Sequence, residues 1–202
     1  TCERDKGELI KSLSAGLITF SENEARLNIS HVLKNTTGHV LFTEGVTDEI
    51  ILETAWTKLN PHKKRLFEIQ NAFDCGYLRN LVKRESLYAD NPGRTFFALF
   101  DFDEAHGDWA QLGDLVEVDP RKCLIRKPNN RACYAMLLPV PVASTIKDQV
   151  VNPVTGQDYG AKSRLTIELL FHDVPGLDVH FEPDPTERDH CKRFVGDKVR
   201  FA

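Results

Sequence analysis

Two aspartates, Asp101 and Asp103, follow the most apolar run in the chain, Thr95-Phe96-Phe97-Ala98-Leu99-Phe100. Side chains at i and i+2 of an extended segment point to one face. Two carboxylates held that close repel each other unless a cation lies between them. An all-oxygen site of this kind suits Mg2+ or Mn2+. A second acidic pair has the same character. Glu44 ends the short apolar run His39-Val40-Leu41-Phe42-Thr43, and Asp48 follows one helical turn later. Gly45 is read as allowing a tight turn between them. Each piece alone has a plain structural reading: an Asp-x-Asp in a turn, or an acidic residue at a helix N-terminus. Two strand ends carrying carboxylates in one chain favour a metal site over coincidence.

Such a site needs elements that bring residues 44 and 101 to the same edge. The run 39–44 predicts a buried strand, with Thr47 as N-cap of a helix carrying Ile51, Leu52, Ala55, Trp56 and Leu59 to a stop at Asn60-Pro61. Leu66–Ile69 predicts a second strand, followed by a helix from about Tyr77 to Tyr88 that ends before Asn91-Pro92-Gly93. The run 95–100 then reads as a central parallel strand covered on both faces. Strands alternating with helices predict an α/β fold with a parallel sheet flanked by helices, and ligands bind beyond the carboxyl ends of such strands.

Residues 1–38 read as a lead-in with a faint apolar pattern through Leu27, Ile29, Val32 and Leu33, and 39–202 as the catalytic domain. Within it, 104–163 reads as a candidate inserted or appended lobe and the C-terminal portion as less regular. Lys122–Arg126 and Ala132–Val142 predict two strands joined at Pro128-Asn129-Asn130. Arg164–Phe171 fits helix or strand, and Asp189–Ala202 reads as the start of a helix.

The 202 residues carry 41% hydrophobic and 28% charged side chains with a net charge of −4, an ordinary globular composition without a basic excess. Basic clusters exist locally at His62–Arg65, Arg121-Lys122, Arg126-Lys127 and Lys192-Arg193, and singly each reads as a solvated face. No apolar run is long enough to cross a membrane. The five cysteines form no Cys-x-x-Cys pair, which fits reduced thiols in a cytoplasmic protein. His172, His180, His190 and Cys191 match no common zinc spacing. With neither an initiator Met nor a signal-peptide pattern, the chain is expected to be a piece of a longer protein.

Leu41-Phe42-Thr43-Glu44-Gly45-Val46-Thr47-Asp48 and Phe100-Asp101-Phe102-Asp103 resemble the two signature motifs of the Toprim domain. That domain serves topoisomerases, primases, ribosomal-RNA-maturing ribonucleases and nucleases of the overcoming-lysogenisation-defect (OLD) family. The resemblance covers about residues 38–110, and the Glu-Gly-x-x-Asp form is most similar to the OLD branch. It implies a metal-dependent endonuclease acting on nucleic acid, DNA in preference to RNA. It further implies a late acidic residue, matched by Glu168 in Thr166-Ile167-Glu168, and a late lysine, matched by Lys198 in Gly196-Asp197-Lys198-Val199. On that reading Glu44, Asp101 and Asp103 hold one metal and Asp48 and Glu168 a second, while Lys198 offsets transition-state charge. The plain alternative for Glu168 is an ion pair with Arg164, four residues earlier. The chain lacks an ATPase phosphate loop, so an ATPase domain would lie upstream or on a separate partner. None of Tyr77, Tyr88, Tyr134 and Tyr159 has the context of a topoisomerase nucleophile. Two rivals remain: a haloacid-dehalogenase-like phosphatase, which leaves Glu44-Gly45 unexplained, and a non-catalytic Toprim module binding nucleic acid or a protein.

Overall fold

The computed structural model describes residues 22–202. A helix over 22–35 (α1) leads into strand β1 (His39–Thr43), helix α2 (Val46–Leu59), strand β2 (Phe67–Asn71), helices α3 (Cys75–Lys83) and α4 (Glu85–Ala89), and strand β3 (Phe96–Phe100). A single turn α5 (His106–Trp109) precedes β4 (Asp114–Glu117), β5 (Ile125–Lys127) and β6 (Cys133–Leu137). The remainder holds short 3-10 turns, a hairpin of β7 (Phe181–Pro183) and β8 (Lys192–Phe194), and a last turn α6 (Lys198–Phe201).

One six-stranded sheet, in the order β2-β1-β3-β6-β5-β4, organises the chain. β2, β1, β3 and β6 run parallel, and β5 and β4 extend the edge in antiparallel register. The result is α/β with a mostly parallel sheet flanked by helices, as the alternating pattern predicts. Residues 104–163 supply three strands of that sheet, β6 lying directly against β3. Alternation explains the packing. Val40, Phe42, Phe96, Ala98, Phe100, Cys133, Ala135 and Leu137 are all fully buried on one face. Trp109 of α5 closes that face, donating its indole N–H to Ala135 O at 2.9 Å under the Arg126 guanidinium.

Several boundaries differ from the sequence expectation. The lead-in contains α1, whose Ala25, Ile29, Val32 and Leu33 face the core at helical spacing, while Leu27 is exposed. The helix expected over 77–88 is two helices, because Arg84 between them has extended dihedrals. The C-terminal segment makes strand β8 before its single helical turn.

Arg94, 7% exposed, fastens α1 to β1. Its guanidinium donates to Gly38 O, Leu33 O, Thr36 O and Thr36 Oγ1 at 2.8–2.9 Å. Arg94→Met strips these carbonyls of their donor inside the protein. It is expected to lower stability by about 3 kcal/mol, given the cost of buried unsatisfied groups. Urea denaturation measures the loss, and a midpoint unchanged at constant slope would contradict it.

Candidate active site at the carboxyl edge of the sheet

Glu44 and Asp101 are the first residues past the ends of neighbouring parallel strands β1 and β3. Strand pairing therefore places them side by side. The Asp101 amide donates to Glu44 Oε1 at 2.8 Å and joins the two strand ends. Asp48, in the first turn of α2, accepts from the Gly45 amide at 3.0 Å, so its carboxylate is turned back toward Glu44. Gly45, not Thr47, is the N-cap, and Thr47 lies buried inside the helix. Gly45 is also extended (φ −128°), and a Cβ there would meet only Asp48 Oδ2 at 3.8 Å. The turn therefore does not depend on glycine's conformational freedom. The next residue, Glu49, accepts from Asn71 N at 2.7 Å and Asn71 Nδ2 at 2.6 Å, fixing α2 against the end of β2.

The chain returns to this edge where β3 ends. Phe102 and Leu165 form an antiparallel bridge, with Phe102 N to Leu165 O at 2.8 Å and Leu165 N to Phe102 O at 3.1 Å. This bridge lies between Asp101 and Asp103 and sets the start of the 3-10 turn Ile167–Phe171, which carries Glu168. Leu165, Ile167 and Leu169 are buried and anchor the turn. Glu168 is 1% exposed. Its ion-pair partner is Lys198, whose Nζ lies 2.9 Å from Oε1, and neither carboxylate oxygen receives a well-directed hydrogen bond. Arg164 is not its partner: it pairs with Glu187 and, at 3.7 Å, with Glu104. The i,i+4 geometry of a continuous helix does not form, because Leu165 is in a β-bridge and the helical turn begins only at Ile167.

The electrostatics of these groups overlap. Burial, followed by repulsion from Asp48, Glu44, Asp103 and Glu168, holds the Asp101 carboxyl well above its ordinary range. Burial, joined by Asp103, Asp48 and Asp108, pushes Glu44 up to about 8, even though the Asp101 amide opposes the shift. Asp103 is raised to about 6, chiefly by burial, against the pull of the Ala105 amide that bonds it at 2.9 Å. Asp48 is raised by burial and by Glu168. Burial works to lower Lys198, but Glu168, Asp101 and Asp48 outweigh it and raise the ammonium. Asp101 thus senses each of the other four carboxylates, and Lys198 senses Glu168, Asp101 and Asp48.

Two participants are absent from the sequence reading. Asp108, on α5, adds to the repulsion on Glu44 and is ion-paired to Arg79 of α3. Neither carries a motif: an acid five residues past Asp103 and an arginine in an amphipathic helix read as surface charges until α3 and α5 pack together. The alternative zinc set does not assemble. His172 contacts Asp173, His180 stacks on Phe194, and His190 bonds Asp148 O. Cys75, Cys123, Cys133 and Cys191 are free thiols, and Cys2 lies outside the described residues.

Buried carboxylates that repel one another are the ligand type a hard divalent cation takes, and Glu168 has only the Lys198 ammonium against its oxygens. Among the described residues, no three His, Cys, Asp or Glu side chains converge on a single ion position as they stand. Closing around a cation therefore requires side-chain rotation within the cluster. A larger cavity, about 630 Å3, lies between α2 and the C-terminal turn, but Ile51, Phe171, Leu177 and Phe201 line it and none of the five carboxylates does. Beside Asp103 and Lys198 is a groove of about 350 Å3. Among the described residues no helix is long and apolar enough to cross a membrane. Comparison with known proteins leaves the geometry to stand alone, for no protein-family model, curated protein or solved structure matches the chain.

Proposed function

We propose that this chain is a Toprim-like, divalent-metal-dependent nuclease of the OLD type, hydrolysing phosphodiester bonds of nucleic acid, DNA in preference to RNA. The observation that carries the reading is the gathering of Glu44, Asp48, Asp101, Asp103 and Glu168 at the carboxyl edge of a parallel sheet, where each raised carboxyl is held up by burial and by its acidic neighbours. A fold keeps such mutual repulsion when a cation relieves it. Mg2+ or Mn2+ would supply water activation and charge neutralisation at the scissile phosphate. Glu44, Asp101 and Asp103 would hold it on one side and Asp48 with Glu168 on the other. That division is part of the proposal: Asp103 is the strongest acidic neighbour of Glu44 and Glu168 that of Asp48, while Asp101 feels Asp48 most and lies between the two groups.

The chain's own groups supply the rest. Lys198 balances Glu168 in the resting protein and would meet negative charge gathering on the phosphate oxygens. The Asp101 amide and the Phe102–Leu165 bridge hold the strand ends in register, so the backbone positions that carry the carboxylates are fixed before substrate arrives.

Supercoiled plasmid incubated with the protein and Mn2+ or Mg2+ should be nicked or linearised, and excess EDTA should stop the reaction. Cutting that persists undiminished in EDTA would overturn the metal requirement. Phosphate release from p-nitrophenyl phosphate, with plasmid left intact, would overturn the nuclease reading in favour of a phosphatase.

A further inference from the structure

The groove beside Asp103 has walls from two parts of the chain. Arg164 and Thr166 come from the segment that leads into Glu168, and Thr186, Lys192 and Arg193 from the segment around β8. Gln149, 1% exposed, ties the walls together. Its amide nitrogen donates to Arg164 O and to Lys192 O, and its oxygen accepts from Lys192 N at 2.8 Å. Arg188 adds a bond to Gln149 O at 2.8 Å. Gln149 thereby joins the segments that carry Arg164 and Lys192 through a buried side chain. At about 350 Å3 it has room for roughly one nucleotide unit and not for the body of a duplex.

Its charges are mostly spoken for. Arg164 pairs with Glu187 and Glu104, Arg193 with Glu182, and Lys198 with Glu168. Asp184 at the rim accepts from Thr186 N and Thr186 Oγ1. Lys192 differs: among the described residues it enters no ion pair, although it lines the same groove as Asp103 and Lys198. A cation without an ion-pair partner, in a groove that also has Asp103 and Lys198 in its lining, is suited to an anion outside the protein.

We infer that this groove is the track for a single nucleic-acid strand, with Lys192 holding a backbone phosphate next to the one positioned at the carboxylates. The inference rests on the proposed nuclease reading and adds its substrate form: a single-stranded stretch, engaged through its backbone. A duplex would have to unpair locally to enter. Contacts to phosphate alone carry no sequence preference.

The test uses the full chain and a fluorescein-labelled 20-nucleotide DNA, single-stranded or annealed to its complement. Binding is followed by anisotropy in Ca2+ across a salt series. Tighter binding of the single strand is expected. Lys192→Glu should weaken it by roughly tenfold, and Lys192→Gln by less, with a salt slope shallower by about one. Melting curves should be unchanged, because the Lys192 ammonium has no partner to lose. Equal binding by parent and both variants, tighter binding of the duplex, or no binding by the parent would each overturn the track. Should the parent still cut plasmid in Mn2+, the nuclease reading survives that failure. Conversely, Lys192-dependent binding by a protein that cuts nothing supports the track and overturns the hydrolytic reading.

Discussion

Asp101→Asn is expected to abolish Mn2+-dependent plasmid cleavage, by at least about a thousandfold, while leaving the metal-free protein folded and no less heat-stable than its parent. Asp101 is the residue whose carboxyl is opposed by burial and by all four of the others, so Asn there spares the fold the cost of keeping an ionisable group among them. Its side chain can change without touching the main-chain bond that joins the strand ends, since that bond uses the Asp101 amide and Glu44 Oε1. Activity and stability therefore move in opposite directions, which separates a catalytic carboxylate from a structural one. Cleavage at the parental rate would refute the assignment. A melting temperature lowered by many degrees would identify Asp101 as a structural residue instead.

The second large effect is a pH dependence of stability opposite to that of most proteins. Glu44 has its folded-state pKa raised from 4.5 to about 8 and Asp103 from 3.8 to about 6, with Asp48 and Asp101 shifted the same way. Between the unfolded and folded values, the folded protein holds more protons than the unfolded chain. Stability is then fully present below the unfolded pKa and is lost as pH rises through the folded one. Without metal the protein should lose on the order of 2 kcal/mol between about pH 5 and pH 8, several degrees of melting temperature at this size. Surface carboxylates lowered by their partners, such as Asp119 beside Arg121, act in the opposite sense but only in more acid solution. Glu44→Gln should flatten the slope, and millimolar Mn2+ should restore the melting temperature at pH 8 by binding the folded state. Calorimetry across pH with and without EDTA measures both. A metal-free melting temperature that climbs from pH 5 to 8 would contradict the burial of these carboxylates.

The half of the site that was legible in the sequence is the half held by regular strands. Glu44 and the Asp101/Asp103 pair follow β1 and β3, whose apolar runs mark their boundaries, and parallel pairing of such runs implies that their ends meet. Glu168 was legible as an acid in an apolar segment, which is costly to bury without a partner. Its partner was not. Choosing between Arg164 and Lys198 depends on whether 164–168 is helical, and the bridge of Leu165 to Phe102 decides it. That bridge is a tertiary event with no local signal. Asp108, Arg79 and the Gln149 link were hidden for the same reason: each acquires its role from a neighbour far away in the chain. The single helix expected over 77–88 is interrupted at Arg84, where Lys83-Arg84-Glu85-Ser86 contains no Gly or Pro to announce the break.

The bridge between Phe102 and Leu165 also bears on how the protein reaches its native state. It closes a loop containing three strands of the sheet, and the final member of the constellation, Lys198, lies in the last turn of the chain. Contacts so far apart in sequence raise the contact order and slow folding. Every residue from Glu44 to Lys198 must leave the ribosome before Glu168 meets its counter-charge. During synthesis the acidic strand ends therefore exist as an uncompleted half-site, and the competent arrangement arises only when the whole domain has folded.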